Sequence, residues 1–344
     1  MPRISVLMPV YNCELYIKEA IESILNQTFS NFELIIIDDC STDSTLAIIK
    51  SYTDPRICLI EKKQNTGYTN SLNTAILVAK GKYIARMDGD DISLPERFQK
   101  QYDFLEQNPE TVICGTAIKI IDSLEVQRHP SDHHNLKVKL CFSSVFHHPT
   151  VMIKGSVLKK NFYNKEFEPA EDYELWTRLA FLGKMSNLDD VLLHYRIHLG
   201  QTSSVRKNIQ DQNIFKCQMI MLNKFLIENN FTIEQIKSAL KIDIVKPKNE
   251  IVDNLKLYKY VLEANQESSI VDQNTLKNVL DNKVLFLFRN YLKNNFNSFN
   301  AVWFVIKTRG FSYFIKVVSP IKSIKKQIKK SFLSSGMFKI RIFY

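Results

Sequence analysis

The sequence predicts an α/β protein in which a mostly parallel β-sheet is flanked by helices, followed by a helical C-terminal region. Short β-rich runs alternate with helical patterns along the first part of the chain, which indicates right-handed crossovers between parallel strands. Polar residues follow each of these runs, at the edge of the sheet where ligands bind in such folds. The chain has no glycine between Gly200 and Gly310, which suits the helices predicted there.

The first elements follow from two apolar runs and the helical spacing between them. Residues 4–8 form a β-rich run that Pro9 ends. Apolar residues then recur at helical spacing between residues 14 and 27. Residues 32–37 form a second strand, which is apolar enough to be buried on both faces and ends in Asp38 and Asp39.

The next elements continue the alternation. Ser41 and Thr42 offer caps for a second helix, and a third strand covers about residues 57–60. The sequence Asn65-x-Gly67 opens a third helix. Since each of these junctions follows a strand, we expect the polar residues to meet in one crevice beyond the carboxyl ends of the strands.

The fourth predicted strand, residues 83–87, ends in Asp88-Gly89-Asp90-Asp91. Neighbouring carboxylates repel one another unless a cation or several donors compensate, and Mn²⁺ or Mg²⁺ is the kind of ion they prefer. Such an ion keeps positions for phosphate oxygens, so the predicted ligand is a nucleoside diphosphate. The alternative is a solvated Asp-Gly turn. No glycine-rich phosphate loop motif occurs in the chain, so a loop of that kind is not expected to hold the phosphates.

Five ordered blocks resemble the inverting, metal-dependent glycosyltransferases of family 2, which have the nucleotide-diphosphosugar transferase (GT-A) fold. The blocks are residues 5–12, 36–43, 65–67, 83–91 and 171–176. The resemblance covers about residues 3–200 and fades beyond them. Cys40 stands where the family commonly has glycine after the Asp pair, which changes the backbone of the loop but removes no ligand.

The resemblance implies a donor site. Asp39 would accept a hydrogen bond from a uracil imide N–H, while Pro9 and Tyr11 contact the base. Asp88 would approach the ribose. The residues predicted to bind the nucleotide are Pro9, Tyr11, Asn12, Asp39, Asn65, Gly67 and Asp88. Asp38 ranks below Asp39, because an aspartate at such a position commonly accepts bonds from nearby backbone N–H groups.

The predicted metal ligands for Mn²⁺ or Mg²⁺ are Asp90, Asp91 and His198. The sequence leaves open whether Asp91 is a second ligand or a structural acceptor. By resemblance, His198 comes from a closing segment that reaches the metal or the diphosphate, and the loop with Gln201 and Ser203 folds over the donor. A lone histidine is otherwise more often a satisfied surface or core residue. Arg196 is predicted either to neutralise the departing diphosphate or to form a surface ion pair.

Glu171 and Asp172 lie in the first turn of a predicted helix. Inversion needs a base for the acceptor hydroxyl, and by resemblance this base is Asp172. Acidic residues in a first turn are otherwise ordinary partners of the helix dipole. Glu171 keeps that role or binds acceptor hydroxyls, and His148 is a further candidate for acceptor contact.

Charge is unevenly distributed along the chain. Of its 46 Lys and Arg and 36 Asp and Glu residues, residues 282–344 hold 13 basic and no acidic ones, which leaves a net charge of −3 on residues 1–281. Basic, aromatic-rich amphipathic helices bind anionic bilayers, so we expect the tail to bind a membrane surface. The alternatives are a helical subdomain with a solvated basic face and nucleic-acid binding, which no recognised fold supports.

Length and composition suggest more than one domain. We expect a catalytic domain over residues 1–204, a helical region over 205–300 and a basic amphipathic tail over 301–344. Six cysteines without a Cys-x-x-Cys pair indicate a reduced, cytoplasmic protein. The chain starts directly with the first strand and contains no long apolar stretch, so the expected location is the inner face of the cell membrane, as a peripheral protein.

The predicted activity is transfer of a hexose from a nucleotide diphosphate sugar, a UDP-sugar in the favoured case, to a saccharide or lipid-linked saccharide acceptor in polysaccharide or glycan biosynthesis. A nucleotidyltransferase acting on sugar phosphates is one alternative, but it usually carries a glycine-rich basic loop after the first strand. A non-catalytic nucleotide-sugar-binding membrane scaffold is another. We would expect such a scaffold to have lost Asp90 or Asp172, and both are present.

Overall fold

A computed structural model describes residues 1–198, 206–226, 230–241, 245–295, 299–309, 313 and 316–317. The chain divides into two compact units, Met1–Lys224 and Phe225–Tyr344. The first unit therefore extends into the predicted helical region, residues 205–300, and the predicted division after residues 204 and 300 stays a prediction. Most of the predicted basic tail lies outside the described residues.

The first unit is built on one mixed sheet of nine strands. Its strands are β1 Ile4–Val10, β2 Phe32–Asp38, β3 Ile57–Glu61, β4 Tyr83–Arg86, β5 Ile92–Ser93, β6 Thr111–Ile120, β7 Val126–Gln127, β8 Met152–Lys154 and β9 Lys184–Tyr195. The strand order is β3-β2-β1-β4-β8-β6-β9-β5, and β7 pairs with β6. The predicted alternation of the first four strands with helices is confirmed.

Parallel pairing of β1 to β4 fixes where their ends meet. Val6 of β1 lies between Leu34 of β2 and Ala85 of β4, and all seven residues of β1 are buried. β8 runs antiparallel to both β4 and β6, and β6 runs parallel to β9. The carboxyl ends of β1, β2 and β4 therefore share one edge of the sheet, where ligands bind in this kind of fold.

Helices flank this sheet. They are α1 Ile17–Leu25, α2 Thr45–Lys50, α3 Tyr68–Val78, α4 Arg97–Gln107, α5 His133–Lys139, α6 Gly155–Leu158, α7 Glu171–Leu179 and α8 Lys207–Leu222, with 3₁₀ turns at His148–Thr150 and Lys165–Phe167. The apolar stripe of α1, with Ile17, Ile21 and Ile24, is fully buried in the core. This burial is the consequence of the helical spacing seen in the sequence.

The described part of the second unit is helical. Its helices are α9 Ile233–Leu240, α10 Lys248–Ser268, α11 Gln273–Asn295 and α12 Phe299–Arg309. α9 begins with a capping box in which the Thr232 and Gln235 side chains bond reciprocally to backbone N–H groups. The predicted helical C-terminal region is thus confirmed. In the portion of the chain that the structure covers, every helix is too short or too polar to cross a bilayer.

Candidate active site

The acidic turn after β4 brings three carboxylates together. One oxygen from each of Asp88, Asp90 and Asp91 lies within 4.8 Å of the others. A Cβ at Gly89 would approach Val10 Cγ1 to 2.8 Å, so the turn packs against the end of β1 only with glycine at this position. The turn is therefore compact enough for its carboxylates to share one cation.

The electrostatics of this turn fit a divalent ion. Burial and the neighbouring Asp88 and Asp90 charges hold the pKa of Asp91 well above its usual range. Its Oδ1 accepts a bond of 2.9 Å from the Arg196 backbone N–H, while Oδ2 is buried without a hydrogen-bond partner among the described residues. A bound Mn²⁺ or Mg²⁺ would offset the repulsion between these carboxylates, and both ions prefer oxygen ligands. The three carboxylates therefore suit such an ion.

His198 contacts the acidic turn, and its role as a metal ligand stays a prediction. Its Nε2 is 2.9 Å from Asp90 Oδ2, and its ring packs on Tyr16 with 5.0 Å between ring centroids. Arg196 anchors this segment, because its Nε donates to the Asp90 carbonyl and its Nη2 pairs with Glu19 at 2.6 Å. Arg196 was predicted either to neutralise the departing diphosphate or to form a surface ion pair, and the structure shows the ion pair, with Glu19. Gln201 and Ser203 lie outside the described residues.

Asp39 joins the end of β2 to the loop before α3. Its carboxylate accepts bonds from the backbone N–H groups of Thr66 at 3.1 Å and Gly67 at 2.9 Å, and it pairs with Lys62 at 3.3 Å. Gly67 has a φ of 92°, which favours glycine, and its N–H also donates to Asn65 Oδ1. Asp39, Asn65 and Gly67 are therefore in mutual contact.

Asn12 joins the ends of β1 and β2. Its side-chain oxygen accepts a bond of 2.9 Å from the Thr42 N–H, and its backbone N–H donates to Ser41 Oγ. Pro9 is buried within β1, whereas the adjacent Tyr11 is 46% exposed. Of these predicted nucleotide contacts, Tyr11 offers an accessible aromatic ring, and Asn12 shapes the loop around it.

Glu171 and Asp172 begin α7, as predicted. Burial raises the pKa of Asp172 to about 6, opposed by its hydrogen bond from the Tyr173 N–H and by the Arg86 charge. Burial and the adjacent Asp172 charge raise the pKa of Glu171 to about 8. Burial therefore favours the protonated form of both neighbours, and it does so more strongly for Glu171 than for Asp172.

Arg86, which no sequence motif indicated, connects the acidic turn to α7. It is 3% exposed, and its Nη2 lies 2.5 Å from Asp88 Oδ1. Its charge acts on both Glu171 and Asp172, and Asp88 acts on Asp172 as well. An arginine at the end of the otherwise apolar, buried strand Tyr83–Arg86 was the sequence feature that could have identified it.

His148 packs against α7. Its Nε2 is 2.9 Å from the Tyr163 hydroxyl, and its ring packs edge-on against Trp176 and Tyr68. Burial and the Arg86 charge lower the pKa of His148 well below its usual range, so the imidazole is neutral. The three aromatic neighbours were likewise absent from the predicted set.

Several buried polar atoms around this site have no hydrogen-bond partner within the described chain. They include Arg86 Nε and Nη1, Glu171 Oε2, Trp176 Nε1 and Tyr68 Oη. Native proteins rarely leave such groups unpaired, and a ligand is one of the partners that resolves the deficit. Donors and acceptors beside aromatic rings suit a polyhydroxylated ligand.

The predicted residues thus fall into three groups, two of which are connected. The first is the acidic turn with His198, and the second is Glu171, Asp172 and His148, linked to the first through the Arg86–Asp88 ion pair. The third comprises the loops at the ends of β1 and β2, where the Asp39 N–H donates to the Val10 carbonyl at 2.9 Å. The sequence anticipated the members of these groups but not the arginine that connects two of them.

Comparison with known proteins gives consistent matches. The sequence model described as glycosyl transferase family 2 matches residues 5–168. An uncharacterized glycosyltransferase of Haemophilus influenzae is 33% identical over 278 residues, which are 76% of this chain and 86% of that protein. The O-antigen biosynthesis glycosyltransferase WbnJ of Escherichia coli is 36% identical over 242 residues, 67% of this chain and 91% of that protein.

Solved structures show the same fold. Staphylococcus aureus TarS in complex with UDP-GlcNAc has a TM-score of 0.55 at 18% identity, covering 96% of this chain and 92% of that one. The mannosyltransferase PcManGT of Pyrobaculum calidifontis, in complex with GDP-Man and Mn²⁺, has a TM-score of 0.53 at 17% identity, covering 92% and 86%. At these identities the likeness concerns the fold.

Proposed function

The chain belongs to glycosyltransferase family 2, and from that premise we propose that it transfers a hexose from a UDP-sugar to a saccharide acceptor, with inversion and with a divalent metal. Family and GT-A fold, both expected from the five sequence blocks, are confirmed. The observation that supports the proposal best is the Arg86–Asp88 ion pair, since it links the three-carboxylate turn to the Asp172 carboxylate.

Asp172 is the proposed base. Its pKa of about 6 leaves it ionised at neutral pH, so it accepts the proton of the acceptor hydroxyl as that oxygen attacks the anomeric carbon. Attack from the face opposite the diphosphate gives inversion. Glu171, with a pKa of about 8, keeps its proton and donates a hydrogen bond to an acceptor oxygen.

Asp90, Asp91 and His198 are the proposed metal ligands. Mn²⁺ or Mg²⁺ bound there supplies charge stabilisation to the departing diphosphate. The PcManGT complex with Mn²⁺ supports a divalent ion in this fold, and so does the compact acidic turn. Asp88, held by Arg86, is proposed to hydrogen-bond the ribose.

The nucleotide is proposed to lie at the ends of β1 and β2. Tyr11 offers its exposed ring to the base beside Pro9, and Asp39 accepts from a uracil imide N–H while it holds the Asn65–Gly67 loop. The TarS complexes with UDP and UDP-GlcNAc support uridine as the base. A guanine nucleotide is the competing choice, because PcManGT was solved with GDP-Man.

The acceptor is proposed to be a lipid-linked saccharide of a cell-surface polysaccharide, at the inner face of the membrane. The names of WbnJ and of the putative glycosyltransferase EpsE of Bacillus subtilis support a pathway of this class. The basic tail, residues 301–344, is proposed to bind the anionic surface. We propose no role in nucleic-acid binding. Family membership argues against a nucleotidyltransferase, and the joint presence of Asp90 and Asp172 argues against a silent scaffold.

A panel of nucleotide sugars tests the proposal. With Mn²⁺ present, UDP and UDP-sugars should protect the chain against thermal unfolding, and one UDP-sugar should be hydrolysed or transferred. Asp172→Asn should keep nucleotide binding and lose transfer, whereas Asp90→Asn should lose the metal-dependent protection. Asp211→Asn, on the exposed side of α8, is the matched control. If another nucleotide protects and no uridine nucleotide does, the donor assignment is wrong.

A further inference from the structure

Two large apolar side chains are exposed directly after α7. Phe181 is 41% exposed and Leu182 is 52% exposed. Neither belongs to the donor or acceptor groups described above, which lie at the opposite, N-terminal end of this helix. Exposed apolar pairs also occur elsewhere in the described chain, for example Leu77 and Val78, so the significance of Phe181 and Leu182 depends on the charged groups beside them.

Two lysines contact the Phe181 ring. Lys137 Nζ of α5 lies 4.1 Å from the ring centroid, and Lys224 Nζ lies 4.3 Å from it. Neither lysine forms an ion pair with a carboxylate in the region that the structure describes. Burial and the positive charge of Lys224 lower the pKa of Lys137, so the two cations repel each other beside one ring. An anionic partner would relieve this repulsion.

The chain segments around these three residues contain no acidic residue. Residues 133–141, 178–188 and 214–224 together hold six Lys and Arg and no Asp or Glu. Arg178 and Lys184 are paired, with Glu174 and Glu110. The concentration of positive charge is local, because residues 1–281 as a whole carry a net charge of −3.

We propose that Phe181, Leu182, Lys137 and Lys224 form a docking patch for an anionic lipid bilayer, in addition to the basic tail. Apolar side chains that enter the headgroup region beside lysines that meet lipid phosphates are the combination that binds peripheral proteins to such surfaces. The Phe181 ring keeps its contact with the lysines while its exposed part enters the interface. An acidic protein would match the charge alone, whereas the bilayer matches both the charge and the exposed apolar pair.

The position of the patch also suits the acceptor, a point that rests on the proposed function. Asp172 lies in the first turn of α7 and Phe181 lies just beyond its C-terminal end, nine positions later, which at 1.5 Å per residue is about 14 Å along the helix axis. A saccharide joined to a lipid at the bilayer surface would extend over a distance of this order to place its terminal hydroxyl at Asp172. Docking through this patch would therefore confine the enzyme to the surface where its acceptor is anchored.

Vesicle partitioning of the full-length chain tests the patch. Sedimentation with vesicles of equimolar phosphatidylcholine and phosphatidylglycerol should be reduced about tenfold by Phe181→Ser with Leu182→Ser. It should be reduced about fivefold by each of Lys137→Gln and Lys224→Gln. Leu124→Ser with Val126→Ser removes another exposed apolar pair, beside Glu125, and should leave partitioning unchanged.

A fluorescence measurement on the bound protein reports the contact directly. Both variants carry Trp303→Phe. Brominated lipid in the vesicles should quench the tryptophan fluorescence of the Leu182→Trp variant, and it should not quench the tryptophan introduced by Leu124→Trp. Unchanged partitioning of the Phe181 and Leu182 double variant, or equal quenching at positions 182 and 124, would overturn the proposal and leave an acidic protein as the partner to seek. Hydrolysis of the donor sugar in solution separates the two claims, since the patch variants should hydrolyse it like the unaltered chain if the proposed function is right.

Discussion

Arg86 shows how one buried side chain determines the chemistry of its neighbours. Its charge neutralises Asp88 and lowers the pKa of Asp172, and without it both carboxyls would favour the protonated form more strongly at neutral pH. A sequence pattern cannot reveal this role, because the relevant partner lies eighty-six positions away, on another element. Only the register of β4 beside β1 and the position of α7 bring them together.

The first prediction concerns the pH dependence of activity. The acidic limb of kcat/KM should fall near pH 6, where Asp172 takes up a proton. Arg86→Met should move this limb to higher pH, because it removes the positive charge that favours the ionised base, and Arg86→Lys should move it less. The pH–rate profiles of the three proteins measure the effect. An acidic limb at the same pH in all three would mean that Arg86 does not act on the base.

The second prediction concerns stability and Glu171. Its pKa is raised from an ordinary 4.5 to about 8, so between these values the folded chain holds a proton that the unfolded chain has released. The contribution of Glu171 to the free energy of unfolding should therefore be largest below pH 4.5 and should decline as the pH rises towards 8. Glu171→Gln should flatten this decline and stabilise the chain above pH 8, at about 1.4 kcal/mol for each unit of displaced pKa.

Denaturant titrations between pH 4 and 9 measure this contribution. Glu166→Gln, in the exposed part of a 3₁₀ turn, is the matched control and should leave the pH dependence as it is. If the free energy of unfolding of Glu171→Gln declined with pH at the same slope as that of the unaltered chain, the pH dependence would belong to other groups.

At the scale of elements, the loop after β2 shows a departure from the family pattern that the structure explains. Cys40 stands where family members commonly have glycine, and it has a φ of 67°. Residues other than glycine adopt this left-handed region at a cost. Cys40 therefore lies in a backbone conformation that glycine adopts more readily. Whether the cysteine changes the loop relative to other family members stays a prediction.

The third prediction follows from this backbone. Cys40→Gly should stabilise the chain by about 1 kcal/mol, since it removes the steric cost of the left-handed conformation. Cys58→Gly makes the same chemical change in the extended strand β3 and should instead destabilise by about 1 kcal/mol. Chemical unfolding of both variants gives the comparison. Equal effects of the two substitutions would show that the strain at position 40 is negligible.

Other elements were harder to predict for physical reasons. The strands of the parallel half of the sheet could be predicted from the sequence, because they are continuous apolar runs between turn residues. β5 and β7 have two residues each, too few to form a pattern, and pairing with β9 and β6 defines them. α8 was foreseen as a helix, but only its bonds to the segment before α7, such as Asn213 to the Glu168 carbonyl, place it in the first unit.

At the scale of the whole molecule, the candidate site could be predicted where local sequence carries the chemistry. The acidic turn and the Glu171–Asp172 pair are short motifs whose charge density is informative without a fold. The aromatic side chains Tyr68, Tyr163 and Trp176 were not predicted, because a buried aromatic residue at a site has the same sequence signature as one in a core. Their role depends on which polar atoms lie near them in space.

The last prediction uses the division of the chain into two compact units. Every residue proposed to bind the donor or the metal lies in Met1–Lys224, so a ligand that binds there adds its free energy to that unit alone. At a concentration of 100 times Kd, UDP with Mn²⁺ should add about 2.7 kcal/mol to the unfolding of the first unit. Because chains of more than one unit need not unfold in a single step, calorimetry should show one transition that moves with ligand and one that does not. Asp90→Asn should keep both transitions and lose the shift. A single transition that moves as a whole would show that the two units unfold together.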